Sequence, residues 1–130
     1  MKRIHVAAGI IINSNQQVLI SRRLAHQHQG GKWEFPGGKV ESGETPEQAL
    51  IRELEEEVAL SIKHASHYQS ISFDYPDKQV LLDFMLSQEF TGEAAGLEGQ
   101  EVKWVAISEL DQYTFPDANQ PIVAKLMADF

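Results

Sequence analysis

The stretch GGKVESGETPEQALIRELEEEVAL, residues 37–60, predicts the helix around which the rest of the chain is organised. Thr45 is suited to the N-cap position, and Pro46 to the first helical position. Gln48, three residues after Thr45, completes a capping box in which each residue bonds the other's backbone. The helix is therefore predicted to begin at about Pro46.

This helix combines an apolar stripe with an acidic flank. The stripe, which a packed core would bury, is formed by Leu50, Leu54 and Val58, with Ile51 beside them. Glu53, Glu56 and Glu57 then share one flank, whereas Glu55 points away as a solvated charge. Their mutual repulsion costs a few tenths of a kcal/mol per pair. Arg52 offsets one charge and a divalent cation would offset two, but spacing alone also fits an ordinary solvated acidic face.

The segment FPGGK, residues 35–39, lies just before the helix and is predicted to form a Pro-Gly turn. Its two adjacent glycines have no side chains, so the backbone can approach a ligand or a metal closely. An ordinary tight turn would use the same residues.

Together these residues form a longer motif: Gly38, five residues, Glu44, seven residues, then RELEEE at 52–57. This motif resembles the Nudix box. The segments WEFPGGK, LEGQ and FPDANQPIVAKL are similar to the MutT-type branch of that family, so the resemblance covers nearly the whole chain. One position departs from the pattern, because Ala59 stands where the box usually has glycine. A left-handed residue there would cost alanine roughly 1 kcal/mol.

The resemblance implies a metal-dependent hydrolase. Mg²⁺, or alternatively Mn²⁺, would be held by oxygen ligands that hard cations prefer. The implied ligands are a backbone carbonyl of the Gly37-Gly38 turn together with Glu53, Glu56, Glu57 and Glu98. Arg52 is expected to orient a carboxylate, and both Glu53 and Glu98 are candidates for the base that activates water. By spacing alone, Glu98 is simply an exposed residue of a glycine-rich loop.

The resemblance also implies a set of substrate contacts: Arg23, His28, Glu34, Phe35, Gly37, Lys78 and Asn119. Phe35 is expected to stack on a purine, and Lys78 stands where the branch carries arginine, which loses a planar fork of donors. Asn119 offers a donor and acceptors that suit the edge of guanine. Each has an ordinary alternative: Phe35 could be a core aromatic, Asn119 an N-cap of the last helix, and Arg23 and His28 surface residues.

The implied activity is conversion of 8-oxo-dGTP to 8-oxo-dGMP and pyrophosphate, which sanitises the nucleotide pool and prevents mutation. A relative acting on CTP or a modified pyrimidine triphosphate is the alternative within enzymes. A non-catalytic nucleotide-binding module is the alternative outside them, although that usually accompanies a degraded box. Here the Arg52, Glu53, Glu56 and Glu57 positions of the box are all intact.

Composition narrows the class of protein. The 130 residues suit one domain, expected to span 1–130, and 42% hydrophobic with 23% charged residues is ordinary for a globular protein. A net charge of −8 argues against binding intact nucleic acid. The chain has no cysteine, and no apolar run approaches the length needed to span a membrane. We expect a cytoplasmic monomer whose partner is a nucleoside triphosphate.

Alternating apolar residues and turn signals predict the remaining elements. A first hairpin is expected from strands 4–12 and 18–22 joined by NSNQQ, and a second from strands around the YPDK turn. The other predicted elements are a mobile lid or connection at 24–32, a short strand at 33–35, a loop at 91–100, a strand at 102–107 and a helix at 120–127. The sum is an α+β fold with a mixed β-sheet sandwiched between α-helices, which is also the Nudix fold.

Overall fold

The computed structural model describes residues 3–130, so residues 1–2 of the expected domain lie outside the described residues. The strands are β1 (Ile4–Ile11), β2 (Gln17–Arg22), β3 (Trp33–Glu34), β4 (Gly37–Lys39), β5 (Ser61–Asp74), β6 (Gln79–Thr91) and β7 (Val102–Ala106). The helices are α1 (Pro46–Val58) and α2 (Gln120–Asp129), with short 3₁₀ turns at Ile107–Gln112 and Asp117–Asn119.

The strands form two sheets. One is a mixed sheet in the order β4-β1-β6-β5, in which β1 and β6 run parallel and the outer pairs are antiparallel. The other is antiparallel, in the order β3-β2-β7. This arrangement confirms the predicted α+β fold with a mixed sheet.

The predicted first hairpin is wrong beyond its turn. The turn forms, with the Asn13 N–H donating to the Gln17 carbonyl at 3.0 Å and one bridge between Ile12 and Val18. The two strands then separate into different sheets. Both edges of β1 are occupied by β4 and β6, so β2 has no edge of β1 left to pair with and joins β3 and β7 instead.

The core lies on both faces of β1, because alternate residues of a strand point to opposite sides. Ala8, Ile10 and Ile12 pack in the cluster that contains the α2 residues Ile122 and Leu126. Ala7 and Ile11 pack in the cluster that contains Leu50, Leu54 and Val58 of α1, all three fully buried as the stripe predicted. The two helices are thereby held on opposite sides of the strands. Within residues 3–130 no helix is long and apolar enough to cross a membrane.

Both predicted ends of α1 are confirmed. The Gln48 N–H donates to Thr45 Oγ1 at 3.2 Å and the Thr45 N–H to Gln48 Oε1 at 2.9 Å, which is the capping box. The helix ends at Ala59, which adopts the left-handed conformation with φ 63° and ψ 26°. The box position that favours glycine is therefore occupied here by a strained alanine.

Other boundaries differ from the predictions. The second hairpin forms around the YPDK turn, but β5 begins already at Ser61, and three register shifts along it hide the alternation. The Pro-Gly turn is wrong: Gly37 lies in β4 and pairs with Ala8 of β1. A side chain at Gly37 would overlap the Ala7 carbonyl, so this close strand pairing requires glycine. The last helix continues two residues past the predicted end, to Asp129.

Candidate active site

Arg52 of α1 forms hydrogen bonds with the acidic residues Glu44 and Glu53. Its Nε and Nη2 donate to the two Glu44 oxygens at 2.8 and 2.9 Å, and its Nη1 donates to Glu53 Oε1 at 2.8 Å. Nη2 also donates to the Lys39 carbonyl at 3.1 Å, which ties β4 to α1. The hydrogen bonds from Arg52 lower the pKa of Glu44 to about 2. The guanidinium thus holds the Glu53 carboxylate, and its role in catalysis stays a prediction.

Glu57 lies in the most crowded part of the cluster. Burial, as the largest cause, and the charges of Glu53, Glu98 and Glu34 together raise its pKa to about 8. Glu56 is exposed, with its carboxylate 3.6 Å from Arg52 Nη1. The structure therefore brings the predicted carboxylates to one end of α1.

Glu55 is solvent-exposed, as predicted, and Glu56 is exposed as well. This exposure separates Glu55 from Glu57, although both are glutamates of the last turns of α1. Among the glutamates at 53–57, the partly buried carboxylates are therefore those of Glu53 and Glu57.

The loop at 91–100 delivers Glu98. The Ala95 and Leu97 N–H groups donate to the Val58 and Glu57 carbonyls, each at 3.0 Å, and Gln100 Nε2 donates to the Glu57 carbonyl at 3.1 Å. These carbonyls end α1 and have no partner within the helix. By satisfying them, the loop docks on the end of α1, and that docking places exposed Glu98 near Glu57.

These residues fit a divalent cation by their chemistry and packing. The donor set is carboxylate oxygen, which Mg²⁺ and Mn²⁺ prefer, and the crowding around Glu57 is the repulsion that a cation relieves. A side chain at Gly38 would overlap the Glu53 carboxyl, so glycine lets the β4 backbone lie against it. Across residues 3–130 no three acidic or imidazole groups are already arranged as a metal cage.

Beside this cluster lies a cavity of about 100 Å³ that opens to solvent. All seven predicted substrate contacts line it: Arg23, His28, Glu34, Phe35, Gly37, Lys78 and Asn119. Its apolar wall is formed by Val6, Ala8, Val80, Leu82, Pro116 and Ala118. Glu34 lines the cavity and its charge acts on Glu57, and Gly37 of the cavity precedes Gly38, which lies against the Glu53 carboxyl, so the two parts form one continuous site.

A chain of polar contacts crosses one side of the cavity. Arg23 Nη1 donates to Glu34 Oε1 at 2.5 Å, and Arg23 Nε donates to the His28 carbonyl at 2.5 Å. His28 Nδ1 lies 2.9 Å from Asp77 Oδ2. Burial raises the pKa of Glu34, and burial together with the Arg23 charge lowers the pKa of Lys78. Two basic side chains, Arg23 and Lys78, therefore face the cavity.

The sequence-based analysis missed Tyr75 as a cavity residue and Asp77 as the partner of His28. Both belong to the YPDK turn, next to Lys78. Because Lys78 was a predicted substrate contact, its neighbours in that turn were the sequence signal that could have indicated them. Their partners lie dozens of residues away in the chain, so no local spacing indicated these contacts.

Asn119 and Phe35 differ in what they offer a ligand. Asn119 is 8% exposed and occupies the N-cap position of α2, as the alternative predicted, but its side chain makes no capping hydrogen bond to that helix. Within the described chain its amide has no hydrogen-bond partner, although it lines the cavity. Phe35 is 2% exposed and stacks on Phe115 with ring centroids 5.2 Å apart, which favours the alternative of a core aromatic.

Comparisons with known proteins agree with this geometry. The model of the NUDIX domain matches residues 7–125. The chain is 45% identical over 126 residues to the 8-oxo-dGTP diphosphatase of Escherichia coli K12, covering 97% of this chain and 98% of that one. It is 34% identical to the CTP pyrophosphohydrolase of the same organism, covering 98% and 94%.

A solved structure from work on MutT of Aliivibrio salmonicida and Vibrio cholerae superposes on the chain. Its TM-score is 0.87 at 47% identity, covering 99% of this chain and 100% of that one. Sequence and fold therefore agree over nearly the full length of both chains. The protein belongs to the NUDIX domain family.

Proposed function

We propose that this protein hydrolyses oxidised guanine nucleoside triphosphates, converting 8-oxo-dGTP to 8-oxo-dGMP and pyrophosphate. The observation that carries the proposal is the Asn119 amide, which lines a cavity beside the carboxylate cluster and has no protein partner among residues 3–130. The similarity to the 8-oxo-dGTP diphosphatase of Escherichia coli supports it. Such an activity removes a mutagenic precursor before DNA synthesis, and we propose that it acts in the cytoplasm as a monomer.

The base end of the site suits an oxidised purine. On its Hoogsteen edge, guanine presents two hydrogen-bond acceptors, N7 and O6. Oxidation at C8 places a hydrogen on N7, so the edge becomes a donor beside an acceptor. The Asn119 amide carries an acceptor oxygen and donor NH₂ group side by side, which is the complementary pattern. A cavity walled by apolar side chains makes an unmatched pattern costly, because the polar edge then stays unpaired.

The phosphate end suits hydrolysis of a phosphoanhydride. A divalent cation, proposed as Mg²⁺ or alternatively Mn²⁺, held by Glu53, Glu56, Glu57, Glu98 and the Gly37 backbone, would neutralise phosphate oxygens and assist deprotonation of water. Water adds to the α- or the β-phosphorus, the bond from that phosphorus to the oxygen bridging the two breaks, and nucleoside monophosphate and pyrophosphate separate. The water proton passes to a carboxylate.

Glu53 and Glu98 are both candidates for that base. Arg52 holds Glu53 in place at 2.8 Å. This intact network argues against a non-catalytic module, since a binding protein has no need of an oriented carboxylate. The basic side chains of Arg23 and Lys78 add positive charge to a site that receives a polyanion.

The test is pyrophosphate release from 8-oxo-dGTP, dGTP, CTP, dCTP and dTTP, with Mg²⁺, with Mn²⁺ and with a chelator. We expect the highest kcat/KM for 8-oxo-dGTP and no release in the chelator. A preference for CTP or dCTP would instead support the pyrimidine alternative, which the 34% identity to a CTP pyrophosphohydrolase keeps in view. Binding without release from any nucleotide would support the non-catalytic module.

A further inference from the structure

The residue proposed to read the base lies on a short turn between two core residues, Phe115 and Ile122. Asn119 ends the 3₁₀ turn Asp117–Asn119 that precedes α2. The bonds within this segment are local: the Asn119 N–H donates to the Pro116 carbonyl at 2.9 Å, and Gln120 Nε2 donates to the Phe115 carbonyl at 3.0 Å. Bonds of this kind shape the turn itself but do not fix where it lies relative to the cavity.

One hydrogen bond from a distant part of the described chain reaches this turn. The Ala118 N–H donates to the Tyr75 hydroxyl oxygen at 3.0 Å, across 43 positions of sequence. Ala118 is 1% exposed, so without Tyr75 its N–H has little access to water. A buried backbone N–H without a partner carries the full cost of its desolvation. This hydrogen bond therefore joins the backbone of the turn that bears Asn119 to the segment just after β5.

The Tyr75 ring is itself held in place. It lies edge-on to His28, with centroids 4.8 Å apart and planes at 77°, and it leans on Phe73 at 4.7 Å. His28 is in turn paired with Asp77, two residues after Tyr75. The hydroxyl thus projects from a fixed ring at the wall of the cavity toward the Ala118 backbone.

We propose that Tyr75 is a positioning residue for nucleotide selection: its hydroxyl fixes the Ala118 peptide and thereby aims the adjacent Asn119 amide at the base. This inference rests on the proposed function, in which Asn119 reads the base. Hydrogen bonds weaken steeply with misalignment, so a small shift of the turn weakens both bonds of the amide at once. Tyr75 acts through the turn, not on the reacting phosphorus. Losing it should therefore raise KM for the preferred nucleotide while kcat changes little.

The test compares two hydroxyl deletions in β5 and the turn that follows it. Tyr75→Phe keeps the ring and its contact with His28 but removes the acceptor for Ala118. Tyr68→Phe is the matched control, since it removes a hydroxyl that donates to Asp129 at 2.5 Å on the exposed surface. We expect Tyr75→Phe to lower kcat/KM for 8-oxo-dGTP at least about fivefold relative to dTTP, mainly through KM. Tyr68→Phe should keep the wild-type ratio.

Amide hydrogen exchange provides a readout independent of catalysis. In Tyr75→Phe the Ala118 amide should exchange faster than in the wild type, whereas in Tyr68→Phe it should not. Unchanged exchange at Ala118 in Tyr75→Phe would overturn the inference even if no nucleotide were hydrolysed.

The outcomes separate this inference from the proposed function. If the wild type prefers 8-oxo-dGTP and Tyr75→Phe keeps that preference, the positioning role is refuted and the function stands. If the wild type prefers another nucleotide, the proposed function fails. The positioning role is then decided by whether Tyr75→Phe changes the ratio of kcat/KM for that nucleotide to kcat/KM for the poorest nucleotide in the panel.

Discussion

The exchange of Asn119 for aspartate or alanine tests base recognition directly. Aspartate keeps the shape of the side chain but replaces its NH₂ donor with a second acceptor, whereas alanine removes both groups. Because Asn119 makes no capping bond to α2, neither change removes a contact that stabilises the helix. Effects on nucleotide preference and on folding can therefore be separated at this position.

The expected size follows from the burial of the site. Asn119 is 8% exposed and faces a largely apolar wall, so a base edge that loses its partner there is not rescued by water. An unpaired polar edge costs roughly 1 to 3 kcal/mol, and about 1.4 kcal/mol is tenfold in rate. We expect both variants to lose at least about tenfold in kcat/KM for 8-oxo-dGTP relative to dTTP. The free energy of unfolding of Asn119→Ala should fall by less than the roughly 1 kcal/mol of a lost N-cap.

The assay measures pyrophosphate release for both nucleotides at saturating Mg²⁺, alongside urea unfolding of each variant. Using the ratio of kcat/KM for the two nucleotides removes the general effect of an added charge on binding a polyanion. Asn15→Asp is the matched control, because it makes the same charge change in the exposed turn between β1 and β2. If Asn119→Asp keeps the wild-type ratio, the amide does not read the base and the guanine-specific proposal loses its main support.

Three further predictions concern α1. Ala59→Gly should raise the free energy of unfolding by up to about 1 kcal/mol with little change in turnover, because φ is 63° there. As a control, Ala124→Gly, at an exposed position within α2, should lower the free energy of unfolding. A lower free energy of unfolding in Ala59→Gly would contradict a strained left-handed residue at the end of α1. Glu56→Gln or Glu57→Gln should remove most activity and weaken Mg²⁺ binding measured by calorimetry, whereas Glu55→Gln should leave both nearly intact; equal losses in all three would refute the assignment. The Glu57 pKa is raised from 4.5 to about 8 on folding, so in a chelator its stabilising contribution is complete below about pH 4.5 and is lost as the pH rises through about 8. Melting curves over that range should show the loss, Mg²⁺ should offset it by binding the ionised carboxylates, and a melting temperature insensitive to Mg²⁺ at high pH would argue against a cation site.

Local sequence was enough for the elements whose contacts are local. The capping box of Thr45 and Gln48, the buried stripe of α1 and the left-handed exit at Ala59 all depend on residues within one or two helical turns. The separation of Glu55 from Glu57 follows from the helical period in the same way. The specific roles of Glu98, Asn119 and the cavity residues were available only through resemblance to a family, because their own spacing is ordinary.

The sequence by itself therefore determined α1, its acidic flank and the class of chemistry that such a flank supports. The tertiary structure decided that β1 and β2 part into different sheets, that Gly37 lies in a strand and that Glu98 reaches Glu57 by docking a loop on a helix end. It also decided that Tyr75 meets Ala118. Strand pairing depends on which edges other strands leave free, and a contact between residues 43 positions apart depends on the packing of everything between them. Neither the strand pairing nor this long-range contact is a property of a local window of sequence, so both arise only when the whole chain has folded.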